Sequence, residues 1–106
     1  MHYFFYKLIG PRPSFPADMT TAEAKLMSEH SAYWKALMKQ GKVVAFGPVA
    51  DPKGPYGIAI VQLLDGDLSD ARELAINDPV LKAEIGFSFE VHPMLSLVVP
   101  EKVGSR

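Results

Sequence analysis

Two strand-like segments of this chain are apolar on both sides, a demand that few small folds meet. In HYFFYKLI, residues 2–9, Phe4, Tyr6 and Leu8 fall on one side and Tyr3, Phe5 and Ile9 on the other, because successive strand side chains point to opposite faces. Its aromatic and β-branched content and the closing Gly10-Pro11 predict a strand. IAIVQLL, residues 58–64, behaves alike, with Ile58 and Ile60 set against Val61 and Leu63. Neither face is built for water, so the sheet that holds these strands needs cover on both sides.

The remaining segments supply cover for one side. After the proline-rich loop GPRPSFPADM comes a helix, with Thr20 as N-cap, Glu23 as its capping-box partner and a stop near Gly41. KVVAFG, residues 42–47, is a second strand ending in the turn-rich GPVADPKGPYG, within which Gly47-Pro48 reads as a strand-end turn. Asp65-Gly66-Asp67 is turn chemistry, LSDARELAIN a second helix, and DPVLKAE one further helical turn or two. FSFEVHPMLSLVV, residues 87–99, is a last strand, broken or bent at Pro93. The order predicts one α+β domain over residues 1–106, ferredoxin-like βαββαβ, with an antiparallel sheet and two helices on one face. Two helices cover one face, so the other is expected to meet the same face of a second copy across a twofold axis, making a homodimer.

Charge and composition narrow the partner. With 11 basic and 12 acidic residues the net charge is −1, and no Lys/Arg cluster stands out. Nucleic acid and anionic membrane are therefore not expected as partners, and a small molecule is. There is no cysteine for a disulfide or a thiolate. MHYFFYKLIG is too short to span a membrane and lacks the marks of a signal peptide, so a cytoplasmic location is expected. No Gly-rich phosphate loop, HExxH or GxSxG is present, and no cofactor is expected.

The long helix carries one anomaly. Leu26, Met27, Tyr33, Trp34, Leu37 and Met38 fall on one stripe, and His30 lies in the middle of it, facing whatever the helix buries. It reads either as a core histidine satisfied by a backbone carbonyl or water, or as an acid–base group.

Three stretches add a family resemblance. SEHSAYWKALMKQGKVVAFGP, then DARELAINDPVLKAEIG, then FEVHP resemble in order and spacing the YCII-related (YciI-like) proteins. These show a helix with EH, Y, L and GK, a following GP, a second helix ending in DP, and a strand reading EV, a basic residue and proline. The resemblance covers roughly residues 1–95. It implies a dimeric α/β barrel of ferredoxin-like subunits, and a histidine and an aspartate proposed as that family's active site, which fall on His30 and Asp78. His92 stands where arginine is common there, and Met94 where an aromatic often follows the proline. A dehydrochlorinase of chlorinated aromatic compounds is among the few activities named in the family, and fold relatives include muconolactone isomerases and cofactor-free monooxygenases.

A His–Asp pair suits proton transfer. Imidazole titrates near pH 6.5, and a carboxylate beside one ring nitrogen fixes the tautomer. Elimination of HCl, lactone isomerisation and enol–keto transfer all move a proton to or from carbon, in an apolar pocket that Tyr3, Phe5, Tyr33 and Trp34 are candidates to line. Gly47 and Pro48 join the candidate binding residues through the resemblance, Arg12 as a clamp for an anionic substrate, and His92 or Tyr33 as a second proton carrier. Asp78 reads equally as the N-cap of a short helix with Pro79 at its first position. Glu90 and His92 lack a clear third ligand, so no metal site is expected. Two readings follow: a small homodimeric lyase or isomerase acting through His30 and Asp78 on an aromatic or lactone substrate, or a non-catalytic module that holds a small molecule in the same pocket.

Overall fold

Alternation along the first strand decides the layers. In the computed structural model, which describes residues 1–101, β1 (His2–Ile9) buries Phe4, Tyr6 and Leu8 and leaves Tyr3, Phe5, Lys7 and Ile9 half-buried. α1 (Thr21–Lys39) follows, then β2 (Val43–Val49), β3 (Tyr56–Leu63), α2 (Leu68–Ile76), α3 (Pro79–Lys82) and β4 (Ser88–Pro93). The strands form one antiparallel sheet in the order β2-β3-β1-β4. This is the expected α+β, ferredoxin-like arrangement, with the DPVLKAE segment adding a third, single-turn helix.

Register puts like with like. Phe4 lies opposite Val61, Tyr6 between Ala59 and Val91, and Leu8 between Gly57 and Phe89. The helices pack on that face, where Trp34, Leu37, Ala71, Ala75 and Val80 close the core. On the other face Tyr3, Phe5, Ile58 and Ile60 are half-buried beside Lys7, Gln62, Glu90 and His92. That face is therefore mixed, with an apolar centre, rather than wholly apolar.

Local chemistry sets the helix ends. Thr20 and Glu23 exchange the two bonds of a capping box at the start of α1. At its other end Gly41 adopts φ +78°, its N–H reaching Met38 O and that of Lys42 reaching Leu37 O, both at 3.0 Å. That is a Schellman ending, and glycine fits it because a Cβ is strained at positive φ. Asp67 does more than turn the chain, since it caps α2 and shares a capping box with Asp70.

Two expected boundaries move. Gly47-Pro48 is not a turn: both residues lie inside β2, opposite Ile58 and Gly57. β2 is an edge strand, where a proline without an N–H breaks no ladder. β4 stops at Pro93 instead of running on to Val99, because Pro93 already pairs with Phe4, near the start of β1. One last bond, Met94 N–H to Tyr3 O at 2.9 Å, ends the pairing, and Leu95 and Val98 beyond it stand exposed. Among the described residues, no helix is long and apolar enough to cross a membrane.

Candidate functional site

A buried carboxylate organises the space between α1 and the sheet. α2 ends at Ile76 with Asn77 as its C-cap, and Pro79 pushes the residue before it into extended backbone, so Asp78 takes φ −59°, ψ 130° and starts α3 as its N-cap. That bend aims the Asp78 side chain back at α1, fully enclosed at 0% exposure. Its Oδ1 accepts from Val80 N–H at 3.1 Å, which is the cap. Oδ2 accepts from Trp34 Nε1–H at 2.7 Å and Tyr6 O–H at 3.0 Å, and lies 2.6 Å from His30 Nδ1. One oxygen of Asp78 thus serves the cap and the other the cluster that includes His30.

The cluster fixes the histidine. Oδ2 accepts from Trp34, whose indole can only donate, and an ionised carboxylate takes His30 as a further donor through Nδ1–H, which leaves Nε2 for other partners. Tyr6 stacks on Trp34 with ring centroids 4.7 Å apart and planes at 28°, which holds both donors in place. Burial, and then the Asp78 charge, pushes the Tyr6 hydroxyl well above the usual tyrosine range. Tyr6 therefore serves as a fixed hydrogen-bond donor. The sequence marks it only as the hydroxylated member of the row Phe4, Tyr6, Leu8.

His30 borders an apolar cavity of about 230 Å³. α1 contributes Met27, His30, Ser31 and Trp34, the sheet contributes Leu8, Phe46, Pro48, Gly57 and Ala59, and the loop after β1 contributes Phe15 and Pro16. Such a volume suits a ligand smaller than the drug-sized molecules that fill pockets of roughly 300–1,000 Å³. The space exists because β3 presents its smallest side chains there: Gly57 and Ala59 lie opposite Leu8 and Tyr6, where Val61 fills the next position.

The other candidate residues divide. Trp34, Gly47 and Pro48 line the cavity. Tyr33 does not: its hydroxyl donates to Leu74 O at 2.6 Å, tying α1 to α2, while burial and then Asp78 push it up to about 12. Tyr3, Phe5 and His92 belong to the sheet face away from the helices, and His92 pairs there with Glu90 at 3.0 Å. Strand alternation forbids them the cavity side. Met38, predicted in the buried stripe, is exposed.

Arg12 is also absent from the cavity wall, because its guanidinium is already taken. Nη1 and Nη2 donate to the two Glu23 oxygens at 2.7 Å each, and Nε and Nη2 reach Asp18 Oδ2 and its carbonyl at 2.9 Å. The clasp fastens the cavity loop to the start of α1 and holds the Glu23 carboxyl down at about 2. A carboxyl with a lowered folded pKa stabilises in full above its ordinary value of about 4.3, and that contribution fades as pH falls towards about 2. Arg12→Met is therefore expected to melt below the parent at pH 7, with the gap closing as pH is lowered towards 2. Circular-dichroism melts across that range check it, and equal melting at pH 7 contradicts it.

Comparison with known proteins agrees with this architecture. No curated protein matches the sequence. Among solved structures, 5-chloro-2-hydroxyhydroquinone dehydrochlorinase of Burkholderia phenoliruptrix, in complex with 2,5-dihydroxybenzoquinone, is similar with a TM-score of 0.60 at 18% identity, over 87% of this chain and 91% of that one. A protein of unknown function from Nitrosomonas europaea is similar with a TM-score of 0.54 at 14% identity, over 95% and 96% of the two chains. At such identities the likeness concerns the fold. The YCII-related domain model matches residues 4–95, nearly the whole span from β1 to just past β4, and the chain belongs to the YCII-related domain family.

Proposed function

We propose that this protein is a cofactor-independent enzyme of lyase or isomerase type, in which His30 moves a proton at a carbon atom of a small ring compound held in the cavity. The observation that supports this is the 2.6 Å tie between Nδ1 of His30, which borders the cavity, and the buried Asp78 behind it. A neutral imidazole with its Nδ1–H anchored presents Nε2 as a base, and the imidazolium formed by proton uptake is stabilised by the adjacent carboxylate. Asp78 acts through His30 and so is a positioning residue. The surrounding apolar wall keeps water from competing for the proton. In an elimination from a chlorinated hydroquinone, the imidazole takes a hydroxyl proton at Nε2 and returns it to the chlorine-bearing ring carbon, and chloride then leaves with the electron pair of its C–Cl bond as a second hydroxyl loses its proton, so that the ring ends as a quinone. In an isomerisation the same imidazole returns the proton to another carbon. The working form is a homodimer joined through the sheet face that no helix covers.

The similar dehydrochlorinase names a first substrate to try, 5-chloro-2-hydroxyhydroquinone. Purified protein is expected to release chloride from it above the buffer rate, and His30→Gln to release it at least about 100-fold more slowly, the scale of a lost acid–base group. The variant should melt within a few degrees of the parent. Chloride release that His30→Gln leaves intact would overturn the acid–base role, and saturable binding without turnover would favour the non-catalytic module.

A further inference from the structure

The wall of the cavity also limits what can enter it. Among the described residues, those that form it include no Lys, Arg, Asp or Glu. Arg12, the cation of the adjoining loop, commits four of its five N–H groups to Glu23 and Asp18. While His30 is neutral, a carboxylate or phosphate placed here would lose its hydration with no fixed opposite charge to receive it, which disfavours anions. His30 is one polar group on the α1 side of the wall, and Ser31 is the next residue. Ser31 lies four residues after Met27 and three before Trp34, two further wall residues, so the helical period turns it inward. Among the described residues its hydroxyl makes no hydrogen bond to the protein, although Ser31 is half-buried.

At Gly57 the opposite wall is bare backbone, beside Leu8, Phe46 and Ala59. Gly57 belongs to the helix-facing row of β3, in line with Ala59 and Val61. A Cβ built there would come no nearer than 3.5 Å to Leu8, an ordinary contact. Nothing in the backbone demands glycine at this position, since its φ lies outside the positive region that favours it. What a side chain there would take away is cavity space.

We propose that Ser31 and Gly57 determine which ligand the cavity takes: an uncharged, hydroxylated single ring whose polar edge meets Ser31 beside His30 and whose flat face lies over Gly57. The proposal rests on the acid–base reading for the site's location but concerns selection, so binding measurements test it without turnover. The probes are chlorohydroquinone, which is largely neutral at pH 7.5, and 2,5-dihydroxybenzoate, the same dihydroxylated ring with a carboxylate in place of chlorine. Isothermal titration is expected to show saturable binding of chlorohydroquinone and at least tenfold weaker binding of the carboxylate. Ser31→Ala should weaken chlorohydroquinone about two- to tenfold, as loss of one hydrogen bond does. Gly57→Val should weaken it more than tenfold, and Gly57→Ala, which fits without a clash, should weaken it by less and keeps the test open if the valine variant does not fold. Equal binding of the two probes, no binding of either, or parent affinity in folded Ser31→Ala and Gly57→Ala would each overturn the proposal. Loss of chloride release in His30→Gln with probe binding retained would leave both readings standing. Selective binding without any turnover would end the acid–base reading alone.

Discussion

Asp78→Ala is expected to lower stability by about 3–5 kcal/mol, because it removes the acceptor shared by a buried cluster and leaves its donors without partners. Trp34 N–H and Tyr6 O–H are enclosed by the core, where no water reaches them, and Val80 N–H loses its cap. Against the 5–15 kcal/mol typical of a folded domain, that leaves little. Asparagine discriminates between the two roles of this residue. As an N-cap it equals aspartate, so a cap alone would let Asp78→Asn fold like the parent. The cluster predicts otherwise. With its oxygen towards Trp34, Tyr6 and His30, the amide NH₂ meets Val80 N–H, a donor facing a donor. Turned round, the NH₂ meets the donors of the cluster. We expect Asp78→Asn to cost about 1–3 kcal/mol in urea unfolding, for at least one buried group left unpaired. It should also shift the His30 tautomer, read from its ring ¹⁵N resonances. Parent stability together with an unchanged tautomer would reduce Asp78 to a helix cap.

Phe5→Lys is expected to halve the particle mass. In the proposed homodimer the parent scatters light at about twice its 11.7 kDa chain mass. Phe5 sits at the centre of the uncovered face, opposite Ile60 and His92 and between Tyr3 and Lys7 along its own strand. A lysine there would place a charge in the middle of the joined sheets, where desolvation without a partner is costly. The single subunit's helix-facing core should survive, since Phe5 takes no part in it. A parent that scatters as a monomer at micromolar concentration would refute the shared-sheet arrangement. So would a Phe5→Lys protein that keeps the doubled mass.

The order of elements was legible in the sequence because each depends on neighbours a few residues away. Thr20 and Glu23 close a capping box within one turn, Gly41 ends α1 by its own backbone preference, and β1 alternates with period two regardless of what lies opposite. Helical period likewise placed His30 in the buried stripe of α1, where it now borders the cavity. Asp78 could be read as a cap for the same reason, from the proline after it. The family resemblance supplied its pairing with His30 from outside this chain.

What tertiary structure alone decided concerns residues far apart in the chain. The Asp78 cluster joins Tyr6, His30 and Trp34 across separations of 72, 48 and 44 residues. No local pattern distinguishes a tyrosine that donates to a buried carboxylate from one that merely fills a core. Arg12 looked free for a substrate because its partners, Asp18 and Glu23, are brought to it only by the fold of the loop onto α1. His92 and Phe5 looked available for the pocket until strand pairing fixed which face of the sheet meets the helices. Gly47-Pro48 reads as a turn by propensity, and pairing with β3 makes it strand. The cavity itself is a property of alignment. Gly57 and Ala59 are small residues that nothing in the sequence singles out, and they make a cavity only where the register sets them opposite Leu8 and Tyr6, in a wall shared with His30 of α1. Local backbone preference thus fixes where elements begin and end, while the side chains of the candidate site owe their neighbours to long-range pairing, which one sequence read in order does not contain.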